Sequence, residues 1–148
     1  MRISAKGRYA LAAAIELARE FSGGASTTVI SIAERLGISK IYLEQVFALL
    51  KRGEIVSSQK GAQGGYLLTR PPREISAYDV LLTVETALFQ KTEPTAPEKA
   101  PQMDAALDSL VFDPMDAAVR EALSRVSLED LVMEAQTNGD AESLMFFI

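Results

Sequence analysis

Ala33, Gly37 and Leu43 stand at a spacing that leaves few ways to fold the residues around them. A small side chain lets two helices approach closely, a glycine accepts positive φ in the turn, and a later apolar side chain anchors the second helix. The flanking residues supply matching punctuation. Ser31-Ile32-Ala33-Glu34 reads as a capping box opening a short helix that ends near Gly37, and Ser39 caps a further helix that Gly53 stops. On that further helix Leu43, Val46, Phe47 and Leu50 fall on one side, while Ile41, Glu44, Gln45, Ala48 and Arg52 fall on the other. A helix-turn-helix is therefore expected here.

Upstream, Ser4 can cap a first helix whose Leu11, Ala14, Ile15, Ala18 and Phe21 form an apolar stripe before Gly23-Gly24. Downstream, Ile55 to Lys60 and Tyr66 to Thr69 read as two short strands joined by Gly61-Ala62-Gln63-Gly64-Gly65. This is the wing of a winged helix. A Gly-rich loop that begins with Lys60 suits a phosphate strand or a minor groove, where a cation gains from the local negative potential. A phosphate-cradling loop of a nucleotide enzyme is the competing reading, but the Gly-Lys-Ser/Thr element and a following helix are missing. Ser76-Ala77-Tyr78-Asp79 then opens a helix through about Leu88, with Val80, Val84, Ala87 and Leu88 returning to the core.

Charge divides the chain. Residues 1–75 carry 11 Lys/Arg against 6 Asp/Glu, net +5, whereas residues 76–148 carry 4 against 14, net −10. A basic half joined to an acidic one is the footprint of an anion-binding module attached to a part with another task. On the outward face of the helix after Ser39, Gln45 can bond adenine in bidentate fashion and Glu44 can accept from the cytosine amino group. The plainer alternative is an ordinary solvated helix face.

The chain contains neither Cys nor His, which removes thiol nucleophiles, disulfides, imidazole-based triads and every Cys/His metal site. No enzyme constellation emerges. The apolar stretches are too short for a membrane span and the first residues lack the apolar core of a signal peptide, so a cytoplasmic protein is expected.

Three blocks now carry a family resemblance: Met1-Arg2-Ile3-Ser4-Ala5-Lys6-Gly7-Arg8-Tyr9-Ala10, Ile38-Ser39-Lys40-Ile41-Tyr42-Leu43-Glu44-Gln45, and Gly61-Ala62-Gln63-Gly64-Gly65-Tyr66-Leu67-Leu68. In that order the chain resembles the Rrf-type winged helix-turn-helix transcriptional regulators, most in character their cysteine-free cysteine-metabolism repressor branch. The resemblance implies a mainly α fold with a small β-hairpin wing and a C-terminal dimerisation helix, acting as a dimeric, sequence-specific repressor on double-stranded DNA. It implies base contacts from Glu44 and Gln45 and a minor-groove contact at Lys60. The remaining DNA-facing positions in the three blocks are Ser4, Lys6, Arg8, Ser39, Lys40, Ile41, Tyr42, Gly61, Gln63, Gly64 and Gly65. Many members carry arginine where this chain has Lys60, which keeps the charge but loses the planar fork. Cluster-binding members place three cysteines in the segment matching residues 91–106. Here there are none, so no iron-sulfur cofactor is expected.

Three segments follow: a DNA-binding domain over 1–90, a Pro-rich loop and short helix over 91–112, and a dimerisation helix with an apolar tail over 113–148. A short helix is expected over Gln102 to Leu110. Asp113-Pro114-Met115-Asp116 reads as a fresh helix start, after which Met115, Ala118, Val119, Ala122 and Val126 trace one stripe. That stripe is either an intramolecular core face or a two-fold interface, and the resemblance implies the interface. Ser127-Leu128-Glu129-Asp130 opens a last short helix toward Asn138-Gly139. The final Leu144-Met145-Phe146-Phe147-Ile148 is expected to be covered, either by docking on its own domain or dimer mate or as a peptide in a partner protein's pocket; the resemblance implies cysteine synthase. The alternative to a regulator is a winged-helix interaction module that works through the acidic half and this tail without DNA.

Overall fold

The computed structural model describes residues 2–61 and 64–146, with side chains through Met145. Gln63, Phe147, Ile148 and the Phe146 side chain, all expected to be functional, lie outside the described residues.

Ser4 caps α1 (Ala5–Arg19) by accepting the Gly7 N–H at 3.1 Å. The buried face of α1 is Ala10, Ala13, Ala14, Leu17 and Ala18, while Leu11, Ile15 and Phe21 of the expected stripe lie half-buried at its margin. The reason is packing: α1 meets three helices, and alanines rather than bulky side chains allow their close approach. One of those alanine neighbours, Glu16, is a buried carboxylate. Arg19 donates to it at 3.3 Å, and Arg35 Nη2 lies 3.0 Å from Glu16 Oε2 without the alignment of a hydrogen bond.

The capping box expected at Ser31 and Glu34 does not form. Thr28 is the cap of α2 (Val29–Leu36), and Ser31 sits inside the first turn, where its N–H donates to Thr28 Oγ1 at 3.1 Å. A β-region backbone at Thr28 starts the helix three residues earlier than expected. Gly37 then takes φ +67°, the turn conformation its position requires. Ser39 caps α3 (Lys40–Arg52), and Leu43, Val46, Phe47 and Leu50 are fully buried as expected.

After α3 the hairpin pairs β1 (Val56–Ser58) with β2 (Tyr66–Leu68) antiparallel, Val56 opposite Leu68. Both strands are shorter than expected. The helix start at Ser76 forms as read, and α4 (Ala77–Val84) opens on a full capping box: Asp79 N–H donates to Ser76 Oγ at 3.0 Å and Ser76 N–H to Asp79 Oδ2 at 2.9 Å. Gly53 ends α3 with a negative φ of −81°; its lack of a side chain matters because a Cβ there would stand 2.2 Å from Thr83 Cγ2 on α4.

Two helix ends depart from expectation for reasons visible in their partners. α4 stops at Val84 rather than near Leu88, because Glu85 leaves the helix to reach Ser4, and Ala87–Phe89 forms a separate 3-10 turn. Nor does a new helix begin at Asp113. α5 (Pro101–Leu107), a π-helical turn (Asp108–Phe112) and α6 (Asp113–Ser124) are continuous, with Phe112 itself helical at φ −74°, ψ −46°. In an α-helix the Pro114 ring would press on the carbonyl one turn back; the wider π turn just before it relieves that clash. Ahead of α5, buried Asp104 accepts the Thr95 and Ala96 N–H groups at 2.8 and 2.9 Å and so folds the Pro-rich loop onto the helix.

The last helix, α7 (Leu128–Phe146), opens after Ser127 as expected, with Ser127 and Asp130 exchanging two bonds of 3.0 Å as a capping box. It passes through Asn138 and Gly139, because Gly139 keeps a helical rather than left-handed backbone. Ala77 N–H donates to Val126 O and Leu128 N–H to Ile75 O, both at 2.8 Å, so α4 and α7 start side by side. Leu128 is fully buried in the same core as α1, α3 and α4. Leu144 and Met145 were expected to be covered. They are exposed, Met145 at 77%, and do not dock on the body.

Candidate nucleic-acid interface

The interface is assembled from three elements fixed to one another by aromatic contacts. Tyr9 of α1 and Tyr42 of α3 meet edge to face with centroids 5.1 Å apart, which holds the start of α1 against the start of α3. Phe47, on the buried side of α3, stacks on Tyr66 of β2 at 4.5 Å and 17°, which holds the wing to the same helix. With its inner face sealed, α3 must present Ile41, Glu44, Gln45 and Ala48 to solvent, and all four are exposed.

Ile41 is 70% exposed at the first turn of α3, an unfavourable place for an isoleucine in water and a suitable one against a thymine methyl. Glu44 sits 3.4 Å from Lys40, an exposed pair one turn apart that is worth little in water yet keeps the carboxylate oriented. Gln45 is exposed and makes no side-chain hydrogen bond among the described residues, so both the oxygen and the nitrogen of its amide are available. Ser39 accepts from Tyr42 N–H at 3.4 Å, and Tyr42 is half-buried.

At the start of α1, Arg8 is exposed with its guanidinium 6.0 Å from the Tyr9 ring centroid, and Lys6 is half-buried. Ser4 is already occupied: its hydroxyl accepts from Gly7 and donates to Glu85. Lys60 and Gly61 are exposed in the wing, with Gly64 N–H donating to Gly61 O at 3.2 Å. Gly64 and Gly65 take φ +65° and +127°, and a Cβ on Gly65 would lie 3.0 Å from Ser26 Oγ and from Thr27 O. Those glycines thus let the wing root press onto the strand-like Ser26-Thr27, where Thr27 and Tyr66 exchange N–H···O bonds of 3.0 and 2.9 Å.

Sequence reasoning missed this anchor, along with Thr28, Glu85 and the Glu16–Arg35 pair. Only Thr28 offered a local signal, a hydroxyl directly before an apolar helical run. The other expected residues lie elsewhere. Met115, Ala118 and Ala122 are exposed along α6, with Val119 and Val126 half-buried, and Met145 lies at the far end of α7. The stripe on α6 is longer than expected, since Met103, Leu110 and Val111 are exposed on the same continuous helix, Leu110 at 79%.

A helix-turn-helix with an antiparallel wing and an open polar face on its second helix defines a DNA-binding protein of the winged-helix class. Comparison with known proteins agrees. The Rrf2 family pattern, described as iron-dependent transcriptional regulator, matches residues 3–134. The HTH-type transcriptional regulator CymR of Bacillus subtilis is 35% identical over 148 residues, covering the whole of each chain, and the regulator IscR of Sodalis glossinidius is 34% identical over 89% of this chain and 79% of its own. The solved structure of CymR, titled the global cysteine regulator of B. subtilis, superposes with a TM-score of 0.73 at 34% identity, covering 90% of this chain and 98% of that one. The chain belongs to the Rrf2 family, and it is a DNA-binding transcriptional regulator of the helix-turn-helix type.

The iron in the family description does not fit the residues present. With no Cys or His in the sequence, the thiolate and imidazole donors that iron-sulfur clusters require are missing. Beside the Pro-rich loop the buried carboxylate of α5, Asp104, is already engaged by two backbone donors of that loop. Among the described residues no helix is long and apolar enough to cross a membrane.

Proposed function

We propose that this regulator is a homodimeric repressor of the cytoplasm, without enzymatic activity, that lays α3 in the major groove and the wing beside it. The observation that carries the reading is the division of α3. Leu43, Val46, Phe47 and Leu50 are fully buried, while Glu44 and Gln45 stand in solvent on the opposite side. In this reading Gln45 pairs with adenine, Glu44 accepts from cytosine and Ile41 meets a thymine methyl. Lys6, Arg8, Ser39, Lys40 and Tyr42 face phosphates, with Ser4 fixing the start of α1 beside them through Glu85, and Lys60, Gly61, Gln63, Gly64 and Gly65 follow the flanking minor groove.

Dimerisation rests on the apolar strip of α5 and α6, from Met103 through Leu110, Met115, Ala118 and Ala122 toward Val119 and Val126. Such a strip on one helix is costly in water and self-complementary across a two-fold axis, and a symmetric dimer matches two half-sites. Mapping bound sites across the genome and footprinting one of them tests the whole reading. Two protected half-sites about 34 Å apart, with affinity falling steeply as salt rises, are the expected result. Weak, even binding to every fragment would contradict it.

The exposed Leu144 and Met145 support a partner for the C-terminal segment, with cysteine synthase as the first protein to test. Binding of cysteine synthase that disappears when residues 144–148 are deleted is the expected outcome; binding unaffected by the deletion, or no binding by the full chain, removes the proposal.

A further inference from the structure

Between α4, the 3-10 turn at Ala87–Phe89 and α6 lies a cavity of about 410 Å³. Its apolar wall includes Tyr78 and Phe89, which meet edge to face at 5.2 Å. Four charged side chains line the same space: Lys91 and Arg120 of one sign, Asp113 and Asp116 of the other. Among the described residues none of the four takes part in an ion pair within 4.0 Å or a side-chain hydrogen bond. Two cations and two anions around one cavity, left unpaired with each other, form a lining matched to a molecule that carries both signs itself.

The helical spacing adds a second point. Asp113, Asp116 and Arg120 repeat at i, i+3 and i+7, so they share one face of α6. Met115, Ala118 and Ala122 lie on a different face; Val119 lines the cavity and also borders the strip, so a molecule in the cavity leaves most of the strip open to a partner. The volume is that of an ordinary small-molecule pocket, which spans about 300–1,000 Å³.

We infer that this cavity binds a free α-amino acid with an apolar side chain: Arg120 and Lys91 take its carboxylate, Asp116 and Asp113 its ammonium group, and the Tyr78–Phe89 wall its side chain. Because α4 packs on α1 and α3 while α6 carries the apolar strip, the bound amino acid bridges the DNA-reading body and the dimer arm. It thereby sets the angle between them and the spacing of the two reading helices. The effector role rests on the repressor reading above; the binding site does not.

The test is calorimetric titration of the full chain with free leucine, isoleucine, valine, methionine, phenylalanine and tyrosine, each to about 5 mM. At least one should bind at one molecule per chain. Asp116→Ala and Arg120→Ala should each weaken it at least about tenfold, Arg120→Lys should retain part of the affinity, and the N-acetyl and amide derivatives of the same amino acid should fail. No binding by any of the six, or equal binding by the variants with unchanged melting temperature, overturns the site. In a second arm, the amino acid should change affinity for a mapped promoter fragment at least about fivefold in the wild type and not in the variants. An amino acid that binds without moving DNA affinity overturns the effector role alone. Failure of the protein to prefer any fragment, both without and with the amino acid, would count against the repressor reading and leave the calorimetric result standing.

Discussion

The Ser4 backbone N–H donates to the Glu85 carboxylate at 2.8 Å across a sequence separation of 81 residues. The same carboxylate accepts the Ser4 hydroxyl, and a Cβ on Gly7 would stand 2.2 Å from its Oε1, so α1 begins where α4 has just ended. An acceptor at the start of a helix meets unpaired N–H groups and the positive end of the helix dipole. Glu85→Ala should leave the part-buried Ser4 donors without their carboxylate partner and lower stability by about 1 kcal/mol, read from urea unfolding. A loss near zero would show that water replaces the carboxylate.

Gln45→Ala should cost about 1–3 kcal/mol on the preferred site and relax the preference at one base pair, measured by competition between single-base variants of a mapped site. An unchanged ranking of those variants would take Gln45 out of base reading.

Lys60→Ala should weaken binding to all fragments alike and reduce the salt slope by about one unit. Affinity measured over a salt series separates this from Gln45→Ala, which should leave the slope as it was.

Leu110→Asp should convert the dimer to a monomer by sedimentation, and with little change in the melting temperature of the winged-helix body, because Leu110 is 79% exposed and supports no core within its own chain. A dimer that persists would move the interface off this strip.

The start of α2 separates two hydroxyls. Thr28→Ala should cost about 1 kcal/mol through the lost cap, whereas Ser31→Ala, in the first turn, should stay within about 0.5 kcal/mol of wild type. Reversed costs in thermal unfolding would restore Ser31 as the cap.

What could be read in advance divides by the range of the interaction. Ser39 and the helix starts at Ser76 and Ser127 were legible because donor and acceptor lie within four residues, and the inner face of α3 was legible because its large side chains mark a helical period. The inner face of α1 was misplaced since alanines, which matter there for closeness rather than for area, leave a weak hydrophobic pattern. Asp113-Pro114 read as a beginning because proline favours first turns; a π turn that accommodates proline mid-helix has no local mark. Among candidate functional residues, Glu44 and Gln45 could be named from the period alone. The wing anchor at Ser26 and Thr27 could not, because it depends on a contact with Gly65 nearly forty positions away.

The π turn at Asp108–Phe112 also governs the strip that follows it. One surplus residue in a helix withdraws about 100° of rotation from everything downstream. With the same residues wound as α-helix throughout, Met115 would point about a third of a revolution away from Met103; the π turn brings the two into phase. Rewinding this turn as α-helix with every residue kept would split one continuous seam into two offset halves that no straight neighbouring helix could meet at once, leaving every side chain of the seam intact and its alignment gone.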